Sequence, residues 1–267
     1  MNSVFLVTGV TLRSILRDRV LHALLSVALL MFLLVPAFSL FSMRQVQELS
    51  ITLSLSCTSF ILLILSTLLG ASSIWRDIER RYTASILGLP VSRAGYLLGK
   101  FFGITLFIAA CTALFAVVSV VVIKIGAAQY PADISVRWEN VLLAIGADGL
   151  KYVLVAAVAL LFSSLSTSFF LPVFGTLAIY FAGSASQEVI AYVSGEFGRQ
   201  ISPVAKGFIQ LVYYLLPNLS AFDLKVEAIY ALPLSASGLL LTFLYFLVYT
   251  GTLLSLAVWN FSRREFS

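Results

Sequence analysis

His22 is the only histidine among 267 residues, which excludes a multi-histidine metal site, a relay between histidines and a zincin motif. At the start of an apolar run, its imidazole is expected to make a local hydrogen bond or to meet lipid headgroups. Asp148 and Lys151 stand three apart, so they can share one helix face as an intramembrane polar pair. Charge is costly in hydrocarbon, and a place near a helix end or beside a wet cavity would relieve that cost. GYLLGK at 95–100 looks like a phosphate loop but is one residue short of the required glycine-to-glycine spacing. Phe101 also stands where a Mg²⁺-binding hydroxyl belongs, so the chain is expected not to hydrolyse ATP. Gly95 and Gly99 form G-x-x-x-G, on its own a weak signal for helix packing. Cys57 and Cys111 both lie inside apolar runs and read as small buried hydrophobes rather than as a disulfide or metal pair. No catalytic, cofactor-binding or metal-binding set emerges.

The elements that carry these residues are membrane helices. Apolar residues make up 60% of the chain and charged residues 11%, with a mean hydropathy of +1.03. Soluble domains are about a quarter charged, and 17 basic plus 12 acidic side chains are too few to clothe a water-facing surface of this size. The apolar residues cluster in runs at 21–41, 51–73 and 101–123, each long enough to cross roughly 30 Å of hydrocarbon as a helix. A membrane barrel would show short alternating segments instead. Further spans are expected at 142–165, 169–185 and 238–259, while 207–216 is too short to cross and reads as re-entrant or interfacial. Residues 2–19 predict an amphipathic lead-in helix. Phe5, Leu12, Ile15 and Leu16 share its apolar face, Thr8 interrupts that face, and Arg13 and Arg17 are turned toward anionic lipid. The expected fold is an all-α integral membrane protein, one transmembrane domain over 1–267 with six spans.

The most informative polar stretch follows the second span. Residues 74–100 carry Arg76, Arg80, Arg81, Arg93 and Lys100 against Asp77 and Glu79. Ile74, Ile78, Tyr82, Ile86 and Leu87 recur at helical spacing before Pro90, which predicts a short helix with an apolar face. If this stretch and both termini share one side, that side holds Arg13, Arg17, Arg19, Arg263 and Arg264 as well, and the opposite side is slightly acidic. Positive-inside bias then places both termini and 74–100 in the cytoplasm, which requires an even number of crossings. The formal charge of +5 is therefore a topology signal. With no basic groove or finger pattern, nucleic acid is not an expected partner.

IERRYTASILGLPVSRAGYLLGK at 78–100 resembles the segment after the second span in permease subunits of ABC-2 type transporters. The matching positions are Glu79, Thr83, Leu87, Pro90, Val91, Ser92, Arg93, Tyr96, Gly99 and Lys100. FSSLSTS at 162–168, LPNLSAFDLK at 216–225 and NFSRREF at 260–266 look like further landmarks of that family. Arg80, Arg81 and Tyr82 stand where many relatives carry a small or glycine-containing stretch. The resemblance implies a multi-pass protein of a prokaryotic plasma or inner membrane and a cytoplasmic coupling helix within 74–93. It also implies two copies of a separate ATP-binding cassette subunit, which binds ATP and Mg²⁺, and a second permease chain in a homodimer or heterodimer. Glu79, Arg80, Arg81 and Arg93 are the implied polar contacts with the ATP-binding subunit, and Ile78, Tyr82 and Leu87 the buried anchors. Substrate export by conformational coupling is the implied function. The alternative is a membrane assembly or regulatory protein that docks an ATPase without moving a substrate.

Overall fold

The computed structural model describes residues 2–42, 45–79, 92–128, 135–195 and 202–263. Among these the elements are α1 (Asn2–Leu16), α2 (Arg19–Ser39), α3 (Val46–Glu79), α4 (Arg93–Ala127), α5 (Trp138–Leu165), α6 (Phe170–Ser194), α7 (Pro203–Leu215), a 3₁₀ turn (Ser220–Phe222), α8 (Lys225–Ile229) and α9 (Ala236–Arg263). There is no strand among the described residues. Five helices, α2, α3, α4, α5 and α9, are long and apolar enough to cross a membrane. At 25 residues α6 has the length for a crossing, but Gln187, Glu188 and its serines dilute the second half, so a sixth crossing rests on length alone.

Local chemistry sets several helix ends. The Asp18 side chain caps α2 by accepting from the Val20 N–H, and Ser92 caps α4 by accepting from the Gly95 N–H. Ser202 caps α7, with Pro203 in the first turn where its missing N–H costs nothing. Pro36 lies one turn before the end of α2, where its missing N–H leaves the Phe32 carbonyl without its helical partner. His22 makes the expected local bond, its Nδ1 lying 2.8 Å from the Asp18 carbonyl oxygen.

Helix α5 stands in the middle, packed on α3, α4, α6 and α9. Its stretch 153–160, VLVAAVAL, is buried on every side, because its alanines leave room for neighbours to approach. A Cβ on Gly70 of α3 would lie 2.5 Å from the Ala159 Cβ and 2.9 Å from the Ala156 carbonyl oxygen. One turn along, Ser163 Oγ donates to the Ala71 carbonyl at 2.9 Å. Lipid tails are as apolar as leucine, so helices in a bilayer gain most from such close, well-packed approach. At the opposite end of the bundle, Ser50 Oγ donates to Ser39 Oγ at 2.9 Å, and Gly126 of α4 leaves space for that serine.

The lead-in helix docks differently from its expected amphipathic face. Val7, Thr11 and Ile15 are buried, whereas Phe5 and Leu16 are 70% and 52% exposed. The receiving surface is a glycine stripe on α4. A Cβ at Gly95 would come within 3.4 Å of Ser3 Oγ, one at Gly99 within 2.6 Å of Val7 Cβ, and one at Gly103 within 2.8 Å of Thr11 Cβ. The partners advance four residues at a time on both helices, so α1 and α4 run parallel along this seam. Thr8 is part of the seam rather than a defect in a stripe, since its hydroxyl lies within hydrogen-bond reach of the Gly99 carbonyl (3.2 Å) as well as its own Val4 carbonyl (2.9 Å).

Helix α7 is amphipathic and short. It packs on α6 around an apolar crevice lined by Ala182, Val189, Phe208, Ile209 and Val212, and exposes Val204, Leu211 and Tyr214. The following connection is tied down by α9, whose Tyr245 hydroxyl accepts from the Asn218 N–H at 2.9 Å and whose Tyr249 hydroxyl donates to the Leu215 carbonyl at 2.8 Å.

Candidate functional site

Two places gather polar side chains between helices. The first is the end of the bundle where α3 finishes and α4 begins. Helix α3 continues unbroken through 74–79, so this part of the expected separate helix is instead the last turn and a half of a long one. Ile74, the first residue of the expected partner-facing stripe, is fully buried within the chain. Arg76 and Asp77 point to opposite neighbours. Arg76 forms an ion pair with Asp18 at the α1–α2 hinge. Asp77 accepts from the Tyr96 hydroxyl of α4 and pairs with Lys100 at 2.6 Å. Lys100 Nζ also donates to the Ser73 carbonyl at 3.1 Å and lies 5.6 Å from the Tyr96 ring centre. Tyr96 in turn stacks on Phe261 of α9 at 5.7 Å.

Ile78 and Glu79 close α3, with Glu79 exposed. Arg80, Arg81, Tyr82 and Leu87 lie outside the described residues. Arg93 opens α4, and its Nη1 donates to the Ser262 carbonyl of α9 at 2.8 Å. The chain ends on either side of 80–91 are therefore held in a collar made by the α1–α2 hinge, α3, α4 and α9. The sequence reading placed Arg76, Asp77, Tyr96 and Lys100 in the right stretch but assigned them no bonds. The four-residue step from Tyr96 to Lys100, which puts both on one face of α4, was the available signal.

At the hinge, partial burial of Asp18 disfavours its charge. The Arg76 guanidinium, the Val20 N–H and, more weakly, His22 outweigh that effect and hold the carboxyl below its ordinary range. A depressed carboxyl pKa contributes stability that is complete above the unfolded value of about 3.9 and fades as pH falls through the folded value. Asp18→Asn is therefore expected to lower the thermal midpoint in detergent at pH 7. The gap between variant and parent should close below about pH 3.9. An equal gap at pH 3 and pH 7 would contradict the ion-pair assignment.

The second place is deep in the bundle. Asp148 and Lys151 are the eleventh and fourteenth residues of the 28-residue α5, well inside the helix rather than at the expected end. Their side chains are 3% and 5% exposed, and Lys151 Nζ lies 2.6 Å from Asp148 Oδ1. The other carboxylate oxygen accepts from Ser59 Oγ of α3 at 2.5 Å. Lys151 Nζ is also 4.9 Å from the Tyr152 ring centre. The Tyr152 hydroxyl is 3.4 Å from that of Tyr180 on α6, which extends the cluster across α3, α5 and α6. Thr112 of α4 reaches close enough to crowd a Cβ on Gly149 to 2.9 Å. The arrangement neutralises its own charge and contains neither a nucleophile–base pair nor an open metal coordination set. Among the described residues there is no cluster of three or more metal-binding side chains, and Cys57 and Cys111 are free, buried thiols.

The span hydroxyls divide by neighbourhood. Thr58 bonds back to the Ser54 carbonyl at 2.9 Å and Ser66 to the Leu63 carbonyl at 3.0 Å. Ser59 is committed to Asp148, and Ser56 is exposed.

Residues 16–183 match the family described as ABC-2 family transporter protein. That stretch runs from the end of α1 into α6, so it includes the whole Asp148–Lys151 cluster and all of the first cluster except its α9 contacts, Phe261 and Ser262. No curated protein matches the chain.

Proposed function

Because the chain belongs to the ABC-2 transporter family, we propose that it is the membrane-spanning subunit of an exporter driven by a separate ATP-binding cassette subunit. In this reading the part of 74–93 from Ile78 onward docks on that subunit, which binds ATP and Mg²⁺, and two permease chains assemble with two such subunits. Both termini and the docking segment face the cytoplasm, in keeping with the basic residues concentrated there.

The collar around 80–91 carries the proposal. Helices α3 and α4 have 34 and 35 residues, so each is about 50 Å long and exceeds the hydrocarbon core by about 20 Å. A displacement applied between their ends enters both helices directly. It also reaches the α1–α2 hinge through Arg76–Asp18 and α9 through Arg93 and Tyr96. Closure of two ATP-binding subunits would thus rock whole helices rather than distort one loop, the rigid-body kind of transition that alternating access needs. Ile78, Glu79, Arg80, Arg81, Tyr82, Leu87 and Arg93 are the proposed docking residues, apolar anchors within a charged rim.

The test is co-purification with the ATP-binding subunit and ATPase activity in lipid after Arg80→Glu and Arg81→Glu. Pairing or lipid-dependent ATPase activity should fall at least about tenfold, the effect of losing a hydrogen-bonded charge contact, with membrane insertion intact. Normal pairing and hydrolysis by both variants would remove these arginines from the docking surface. Transport by the reconstituted complex then separates an exporter from a regulatory protein.

A further inference from the structure

The collar borders a groove that shares only Glu79 with the proposed docking residues. It has a volume of about 850 Å³ and is walled by Arg13, Arg17, Arg19 and Arg76, with Asp18, Glu79 and Trp75 completing it. Arg76 is occupied by Asp18. Arg13, Arg17 and Arg19 have no acidic partner among the described residues, although all three line one space. Three free guanidinium groups facing a common volume repel one another, an arrangement that a bound anion relieves.

A second, apolar crevice adjoins the first across the Arg76–Asp18 pair. It is about 210 Å³, runs between α2 and α3, and is lined by Leu24, Leu65, Leu68, Leu69 and Phe169. The two spaces share Asp18 and Arg76, and Trp75 and Phe169 pack against each other at 5.1 Å on the boundary. The polar space lies at the start of the first membrane span, and the apolar one runs from there along the span. Val10 and Val20 flank the arginines and are 60% and 57% exposed. An anion held in water, or a purely protein partner, would have no use for a leucine-lined continuation into the membrane.

We propose that these two spaces form one binding site for an anionic phospholipid, with the headgroup phosphate between Arg13, Arg17 and Arg19 and an acyl chain in the α2–α3 crevice. Basic pockets between helices at a membrane face recognise lipid headgroups in this way. The tryptophan at the boundary suits the headgroup level, where an amphipathic ring is stable. The bound lipid would brace the α1–α2 hinge against the end of α3. The proposal does not depend on transport or on the ATP-binding subunit.

The test uses the full chain alone in detergent, with phosphatidylglycerol and phosphatidylcholine as probes and lipid retention read by native mass spectrometry. Phosphatidylglycerol should bind in preference to phosphatidylcholine, and millimolar inorganic phosphate should not displace it. Together Arg13→Gln, Arg17→Gln and Arg19→Gln should weaken phosphatidylglycerol binding about 100-fold, a few-fold for each arginine. Arg137→Gln, outside the groove, should leave it unchanged. Leu68→Trp, which fills the crevice, should weaken binding by about tenfold with the arginines intact. It also keeps the test decisive if the triple variant fails to fold. Equal retention of the two lipids, undiminished retention by either groove variant, or displacement by inorganic phosphate would overturn the site. So would a triple variant that keeps the lipid but loses the ATP-binding subunit, because the groove would then belong to that subunit. Binding is read on the permease alone, so its failure is distinguishable from failure of the docking assignment.

Discussion

Lys151→Met is expected to destabilise the protein by about 3–5 kcal/mol, the usual cost of stripping one partner from a buried ion pair. The reason lies less in the lost attraction than in what remains. Asp148 would lose its counter-charge in a space where its side chain is 3% exposed, with the Ser59 hydroxyl as its remaining side-chain donor. Asp148→Asn alone should also be costly, since it leaves the buried ammonium group of Lys151 without a counter-charge, facing a neutral amide and the Tyr152 ring. The double variant Asp148→Asn/Lys151→Met removes both charges at nearly constant volume and should recover most of the loss, because replacing a whole buried pair is often neutral. Unfolding midpoints in detergent for the two single variants and the double variant close the cycle and isolate the pair's coupling. If Lys151→Met unfolds within about 0.5 kcal/mol of the parent, as a surface substitution would, the pair is not buried as described. A selective loss of ATPase coupling at unchanged stability would instead assign the cluster a part in the conformational cycle.

The helical, multi-span character was legible because it follows from composition alone: apolar runs of about 20 residues admit few other folds. The charged stretch after the second span was also visible, as was the three-residue step from Asp148 to Lys151. Their depth was not. Nothing in a linear sequence shows that Ser59, 89 residues away, supplies a hydrogen bond, so a helix-end location was the cheaper expectation. The lead-in helix misled for a related reason. An apolar stripe predicts burial only where water is the alternative, and beside lipid Phe5 and Leu16 can stay exposed while Val7, Thr11 and Ile15 take the packed face, with Val7 and Thr11 against the α4 glycines. Gly95 and Gly99 held that information, but G-x-x-x-G does not say which helix will dock there. The collar required long-range pairing between Asp18 and Arg76, 58 positions apart, which local spacing cannot encode.

Gly70→Val tests how far the α3–α5 contact governs the bundle, and it should lower stability by about 1–3 kcal/mol or more through overpacking. The clash cannot be relieved by a rotamer change. The obstructing atoms are the Ala159 Cβ at 2.5 Å and the Ala156 carbonyl oxygen at 2.9 Å, both fixed to the α5 backbone, so the two helices must move apart. That movement would break the bond from Ser163 to the Ala71 carbonyl at an additional cost of about 1 kcal/mol. Gly146→Ala is the informative control. It lies on α5 as well, yet a Cβ there meets nothing within 4 Å, and alanine is the better helix former by about 1 kcal/mol. Its thermal midpoint in detergent should hold or rise while that of Gly70→Val falls. The functional readout follows from the same geometry. Under the proposed coupling a displacement of α3 reaches α5 most directly through their contact, so Gly70→Val should uncouple ATP hydrolysis from transport even at temperatures where the protein is still folded. Normal coupling in a folded Gly70→Val protein would show that the displacement travels through α4 instead.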